Sequence, residues 1–386
     1  MNDGQSHGRS SIVKTMDSLF PQSYEASRAR FLQDVKLLRP KWHTSRLESH
    51  PLKNHPDLSI DWFWAEPRRR ENLIIVSTGE HGIEGYVGSA MLKVFMDEFS
   101  PRISSENTGL LLVHGINPWG MKHNRKVNEN GVDLNRNFVY NGVFDPTNNP
   151  HFLKLKRLLA PESAVRSFGI ETMKFAWRTL MVLITEGASA LTYAALLGQY
   201  AEPKAMYFGG TQYEEGSLVM MDLLRQSLEN YQTVIHLDMH SGYGPRYLMN
   251  ISMVPLEPLN SAQLSEKFNY PLVLRSDHDE FYATQGDMTE YLYRLRDDHF
   301  SDKHVFSCVF EFGTYGESLL ARLHSLRTMI FESQLYWHGA LDKNTEDKIR
   351  NEFSELYFPA EPEWREKAFA DARQALEGIL CAYKVL

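Results

Sequence analysis

Leu73-Ile74-Ile75-Val76-Ser77-Thr78-Gly79-Glu80-His81-Gly82-Ile83-Glu84-Gly85 is the stretch that decides the fold. It opens with an unbroken apolar run of strand length, the mark of a strand covered on both faces, and residues 86–99 that follow have helical length and periodicity. The glycine-rich cluster between them therefore falls on a strand-to-helix turn. Working outward, residues 60–64, 110–113, 233–239 and 304–310 read as further strands, and 24–38, 219–231 and 263–268 as helical. Strands alternating with helices predict an α/β fold: a mixed, mainly parallel sheet with helices on both faces. In such sheets ligands bind beyond the C-terminal ends of the strands.

Three polar clusters besides 79–85 concern that edge. Asp238-Met239-His240-Ser241-Gly242 ends one strand and Phe310-Glu311-Phe312-Gly313 ends another, while Gly131-Val132-Asp133-Leu134-Asn135-Arg136-Asn137-Phe138 lies between elements. His81 and Glu84 form an H-x-x-E pair, whose three-residue offset lets an imidazole and a carboxylate converge on one ion from a tight turn. Alone, such a pair is more often two surface residues. A phosphate loop is a poorer reading, because the glycine spacing is G-x-x-G-x-x-G and Glu80 and Glu84 would repel phosphate. His236, Asp238 and His240 alternate on one strand face, opposite Ile235, Leu237 and Met239. Taken singly, His240 reads better as a hydrogen-bonded strand-end histidine, and Glu311 reads equally as an arginine partner. Together, His81, Glu84, His240 and Glu311 supply three metal ligands and a carboxylate free to take a proton from water, the inventory of a metal hydrolase.

Composition excludes several classes. A net charge of −8 argues against a nucleic-acid surface, which usually shows a basic stripe, and Arg68-Arg69-Arg70 reads as a solvated turn. Cys308 and Cys381 are the only cysteines, so there is no disulfide framework, and Cys308 in an apolar run reads as a small buried side chain. Residues 1–11 are polar without an apolar signal core, which predicts a cytoplasmic protein. Residues 180–197 are too polar to span a membrane and read as a helical pair broken at glycine. One domain is expected over residues 1–386, with a core at about 60–340, a mainly helical insertion at about 142–210 and a helical extension at about 341–386 whose Trp364 packs on the core.

These residues resemble the zinc carboxypeptidases of carboxypeptidase A type, and more narrowly a mainly bacterial branch of that metallopeptidase superfamily. The order H-x-x-E, Arg, Asn-Arg, His, Tyr, Glu is matched by His81/Glu84, Arg125, Asn135/Arg136, His240, Tyr282 and Glu311, over residues 74–316. The most specific stretch is Arg125-Lys126 followed by the cluster at 131–138, and residues 281–287 look like the family's mobile tyrosine loop. The resemblance implies one zinc per chain held by His81, Glu84 and His240. It implies Glu311 as the base, Arg125 as the oxyanion partner, and Asn135, Arg136 and Tyr282 as the grip on a substrate carboxylate. Asp133 would orient His81 from behind.

Departures bear on the substrate. Ile83 stands where digestive carboxypeptidases often carry arginine, and the insertion lengthens the interval from Glu84 to His240, so it is expected to restrict access to short substrates. Within it, Gln199-Tyr200 with Pro203, and Tyr207-Phe208-Gly209-Gly210, read as a cleft wall or equally as a plain turn. The expected activity is hydrolysis of amide bonds, as a metallocarboxypeptidase acting on small peptides or peptide-like substrates with a free carboxylate. The alternatives are an N-acyl amino acid deacylase of the aspartoacylase or succinylglutamate desuccinylase kind and, from another class, a zinc-binding receptor without catalysis. No nucleic-acid or membrane partner is expected.

Overall fold

The computed structural model describes residues 18–275 and 285–386. Helix α1 (Tyr24–Leu38), capped by the Ser23 hydroxyl accepting from the Ala26 amide, leads to strands β1 (Thr44–Pro51), β2 (Ser59–Glu66) and β3 (Asn72–Thr78). Then come α2 (Gly85–Val94), β4 (Thr108–His114), α3 (Pro118–Lys122), α4 (Pro150–Leu159), α5 (Phe168–Thr185), α6 (Gly187–Leu196) and α7 (Glu215–Asn230). The remainder is β5 (Thr233–Ser241), β6 (Met249–Met253), α8 (Ser261–Phe268), β7 (Val273–Arg275), α9 (Met288–His299), β8 (His304–Phe312), α10 (Leu319–His338), α11 (Lys343–Tyr357) and α12 (Pro362–Ala382).

The strands form one sheet in the order β1-β2-β4-β3-β5-β8-β6-β7. The four central strands β4, β3, β5 and β8 run parallel, β1, β2 and β6 are joined antiparallel to their inner neighbours, and β7 runs parallel to β6. The sheet is therefore mixed around a parallel centre, and the C-terminal ends of β3, β5 and β8 meet at one edge. One face is packed by apolar side chains of α1, α2, α8 and α12, the other by those of α7 and α9. Cys308 is fully buried on the first face.

The sheet begins earlier than the reading of a core from residue 60 allowed. The sequence of β1 is polar and ends in Pro51, and its side chains alternate between exposed and half-buried, as suits an edge strand that no apolar run announces. The extension at the C-terminus contributes core, since Phe369, Leu376 and Leu380 of α12 lie against the sheet and Trp364 Nε1 donates to Gly313 O at 2.8 Å. The helix read over 86–99 is α-helical to Val94 and then widens into a π turn, Phe95–Phe99.

Helices α4, α5 and α6 occupy the predicted insertion, and they pack on α10 and α11 in a separate apolar cluster that includes Phe152, Phe175, Leu191, Phe331 and Phe353. A 120° bend at Glu186 separates α5 from α6. Among the described residues no single helix is long and apolar enough to cross a membrane. Buried Asn137 closes the insertion onto the sheet: its Nδ2 donates to Gly209 O and Gln212 O, and its Oδ1 accepts from Glu214 N at 2.8 Å.

Candidate metal centre

The turn after β3 can be built only from glycine at two points. Gly79 has φ +72°, and a Cβ on Gly82 would stand 2.1 Å from the backbone of Gly120. That close approach is held by Gly82 N and Ile83 N donating to Lys126 O and Arg125 O, at 3.1 and 2.9 Å. Residues 125–126 are thereby pinned against the His81–Glu84 turn. Strand register supplies the rest, for His240 at the end of β5 pairs directly with Glu311 on β8.

His81 Nδ1 lies 2.9 Å from one Glu84 oxygen, His240 Nδ1 lies 3.2 Å from the other, and the two Nδ1 atoms are 3.1 Å apart. Tetrahedral ligands at ~2.0–2.1 Å from a zinc ion are separated from one another by about 3.3 Å, so these atoms are spaced to share one cation. The opposite ring nitrogens meet carboxylates: His81 Nε2 with Asp133 at 2.9 Å, and His240 Nε2 with Asp238 at 2.5 Å. A proton on each Nε2 leaves both Nδ1 lone pairs facing inward, the tautomer a metal ligand requires. Asp238 is itself held by the Ser77 hydroxyl at 2.6 Å, on the polar face that the alternation of His236, Asp238 and His240 predicts.

All of these groups are buried, as is Glu80, whose carboxylate is 3.2 Å from His240 Nε2 without a hydrogen bond among the described residues. Glu80, His81 and His240 also bring ligand atoms within 4.8 Å of one another. Glu84 is nevertheless the better third ligand, because it faces both Nδ1 atoms whereas Glu80 meets His240 on the side that Asp238 occupies. Burial, reinforced by neighbouring carboxylates, pushes Glu80 and Glu311 up to about 7. For His240, burial acts downward, but Asp238, Glu80 and Glu84 together outweigh it and raise the imidazole well above its usual range. For Glu84 burial acts upward, and His81, His240 and Lys126 outweigh it, holding the group ionised. Five acids, Glu80, Glu84, Asp133, Asp238 and Glu311, thus surround two imidazoles with one lysine among them, a donor set that fits a divalent cation.

The remaining predicted residues surround this centre unequally. Glu311 accepts from Tyr243 N at 2.9 Å. Arg125 is buried, clamped by Glu332 of α10 through Nε (2.7 Å) and Nη2 (3.2 Å), with its guanidinium 3.5 Å from the centre of the Tyr336 ring. Its Nη1 has no hydrogen-bond partner among the described residues. Arg136 donates from Nη1 to Asn135 O (2.8 Å) and from Nη2 to Leu196 O (3.0 Å), leaving Nε unpartnered among the described residues. Asn135 Oδ1 accepts from Met288 N at 3.2 Å. Tyr282 lies outside the described residues, as do residues 1–11.

A family profile described as "Protein of unknown function (DUF2817)" matches residues 20–371. The chain belongs to that family. No curated protein matches it in sequence. Among solved structures it is similar to carboxypeptidase A from Helicoverpa armigera, at 14% identity over 86% of this chain and 73% of that one, with a TM-score of 0.45. It is similar to bovine thrombin-activatable fibrinolysis inhibitor at 12% identity, over 81% and 95% of the two chains, with a TM-score of 0.45. It is also similar to the murein-tripeptide amidase of Escherichia coli O157 at 17% identity, over 78% and 95%, with a TM-score of 0.34.

Three further side chains of this DUF2817 member join the centre, beyond the site residues assigned a role from the sequence. Glu80 is one, visible in retrospect only as an acid inside the H-x-x-E turn. Lys126 is another: its Nζ contacts His81 Nε2 and pairs with Asp133 at 3.1 Å. Tyr207 comes from the insertion, at φ +55°, a strained value for a tyrosine. Its ring faces the Arg136 guanidinium at 5.0 Å and Lys126 Nζ at 5.5 Å. Residues 199–210 thus form a wall, tied by the Gln199–Phe208 bridge and by Asp133 N donating to Phe208 O at 2.8 Å.

Proposed function

We propose that this protein is a zinc-dependent hydrolase of amide bonds, a metallocarboxypeptidase acting on small peptides or peptide-like substrates with a free carboxylate. One observation carries the reading: two imidazole Nδ1 atoms and both oxygens of Glu84 converge within 2.9–3.2 Å, with a carboxylate behind each ring and Glu311 on the adjoining strand. His81, Glu84 and His240 would hold a zinc ion, with Asp133 and Asp238 fixing the rings from behind. Such an ion would supply Lewis-acid polarisation of the scissile carbonyl and make attacking water more acidic. Glu311, pushed up to about 7 by burial and by Glu84, takes a proton from the attacking water and passes it to the departing amine. Arg125 offers its unpartnered Nη1–H to the developing oxyanion.

In this reading Asn135, the free Nε–H of Arg136 and Tyr282 bind the substrate carboxylate. Leu196 O and the 199–210 wall stand over Arg136, which supports a restriction to short substrates. The test is a panel of dipeptides, carboxyl-amidated dipeptides and N-acyl amino acids, presented to the zinc-loaded protein. Amidation is expected to lower kcat/KM by about 10² in the wild type and to have little further effect in Arg136→Ala. Equal cleavage of free and amidated peptides contradicts the carboxypeptidase reading. Turnover of N-acyl amino acids alone transfers the assignment to a deacylase.

A further inference from the structure

Helix α5 is turned inside out. Its buried positions carry Glu171, Phe175 and Thr179, whereas its outward stripe is apolar: Ile170, Met173, Trp177, Leu180, Met181 and Ile184, each 39–69% exposed. These recur at helical spacing along all 18 residues, and Leu319 and Leu320 at the start of α10 stand out as exposed side chains of the same character. Between α5 and α10 runs a groove of about 380 Å³ lined by Phe175, Leu180, Leu183, Leu320 and Leu323, so a projecting leucine and a leucine-walled hollow lie side by side. A surface helix of a monomer carries the opposite pattern, with its polar face outward.

We infer that this face is the interface through which two copies of the chain pair about a twofold axis. A twofold contact needs a self-complementary patch, and a knob beside a hole provides one. The exposed apolar area of the stripe with Leu319 and Leu320 is on the order of 700 Å², above the few hundred Å² usual for a monomer's largest patch and close to the ~800 Å² per partner of a stable interface. A lipid surface fits less well. Neither α5 nor α6 is by itself long and apolar enough to cross a membrane and a 120° bend breaks the pair, the chain carries a net charge of −8, and Lys174 and Lys154 are matched by acids, Glu171 at 2.8 Å and Glu186 at 3.9 Å.

Sedimentation equilibrium and light scattering of the full chain at micromolar concentration test this without reference to catalysis. The wild type is expected at twice the 44.6 kDa chain mass. Met173→Glu/Trp177→Glu is expected to be monomeric with unchanged far-UV circular dichroism, and Leu320→Glu, on the other helix, to weaken self-association at least tenfold. A wild type that stays monomeric, or a dimer indifferent to both variants, overturns the proposal. Flotation of monomeric protein with phosphatidylcholine vesicles, abolished by the double substitution, overturns it in favour of a lipid surface.

Discussion

His236 and His240 stand four residues apart on β5, both buried, yet their surroundings drive them in opposite directions. In the middle of the sheet His236 sits between the hydroxyls of Ser77 and Ser307, each at 2.8 Å, and burial lowers its pKa. His114 on β4 follows the same pattern, with the Ser27 hydroxyl at 2.8 Å, the Phe31 ring stacked on it and a pKa lowered by burial to about 4. At the strand end His240 and His81 face carboxylates on both ring nitrogens. Burial is common to both regions; the partners differ. A hydroxyl donates or accepts as needed and leaves imidazole neutral, whereas a group of carboxylates in low dielectric calls for positive charge. The middle of the sheet is packed with neutral partners, and its C-terminal edge gathers the carboxylates and imidazoles of a candidate metal centre.

The largest effect expected at the edge is on the base. Glu311→Gln should keep its zinc by elemental analysis while turnover falls by on the order of 10³-fold, the scale of general-base catalysis. Near-wild-type turnover with zinc retained would remove Glu311 from the chemistry. Next comes Arg125→Ala, expected to lower kcat by about 10²-fold with little change in KM, as for loss of an oxyanion donor. A change confined to KM would make Arg125 a binding group instead.

The smallest effect probes the middle of the sheet. An unfolded chain protonates His114 from about pH 6.5 downward, while the native protein resists until about pH 4, so the unfolded state binds more protons between these limits and stability falls as pH falls. Between pH 7 and pH 5 this loss is about 2 kcal/mol. Urea unfolding of EDTA-treated protein at the two pH values should show a loss smaller by about that amount in His114→Asn. An unchanged loss would mean that other groups govern the acid limb.

The sequence made the edge legible because β3 is an unbroken apolar run, β8 is nearly one and β5 alternates cleanly, each strand leading into a polar residue of distinctive type. The alternation of His236, Asp238 and His240 could be read as a polar face for the same reason. It could not show that two members of that face serve different ends, since the serines that keep His236 neutral come from other strands. The edge strand β1 was missed because its polarity carries no period-two signal. The clamp of Glu332 on Arg125 was invisible because it joins residues 207 apart. Tyr207 could be read only as part of a cleft wall or equally of a plain turn, because a glycine- and aromatic-rich segment looks the same in sequence whether or not it folds over a site.

The comparison between middle and edge reduces to one measurement, the zinc content of purified wild type, His240→Ala and His236→Asn by elemental analysis alongside circular dichroism. About one zinc per chain is expected in the wild type and in His236→Asn, and none in His240→Ala with its fold kept. Full zinc in a folded His240→Ala protein, or no zinc in a wild type supplied with it, would contradict the assignment of this edge as a metal centre.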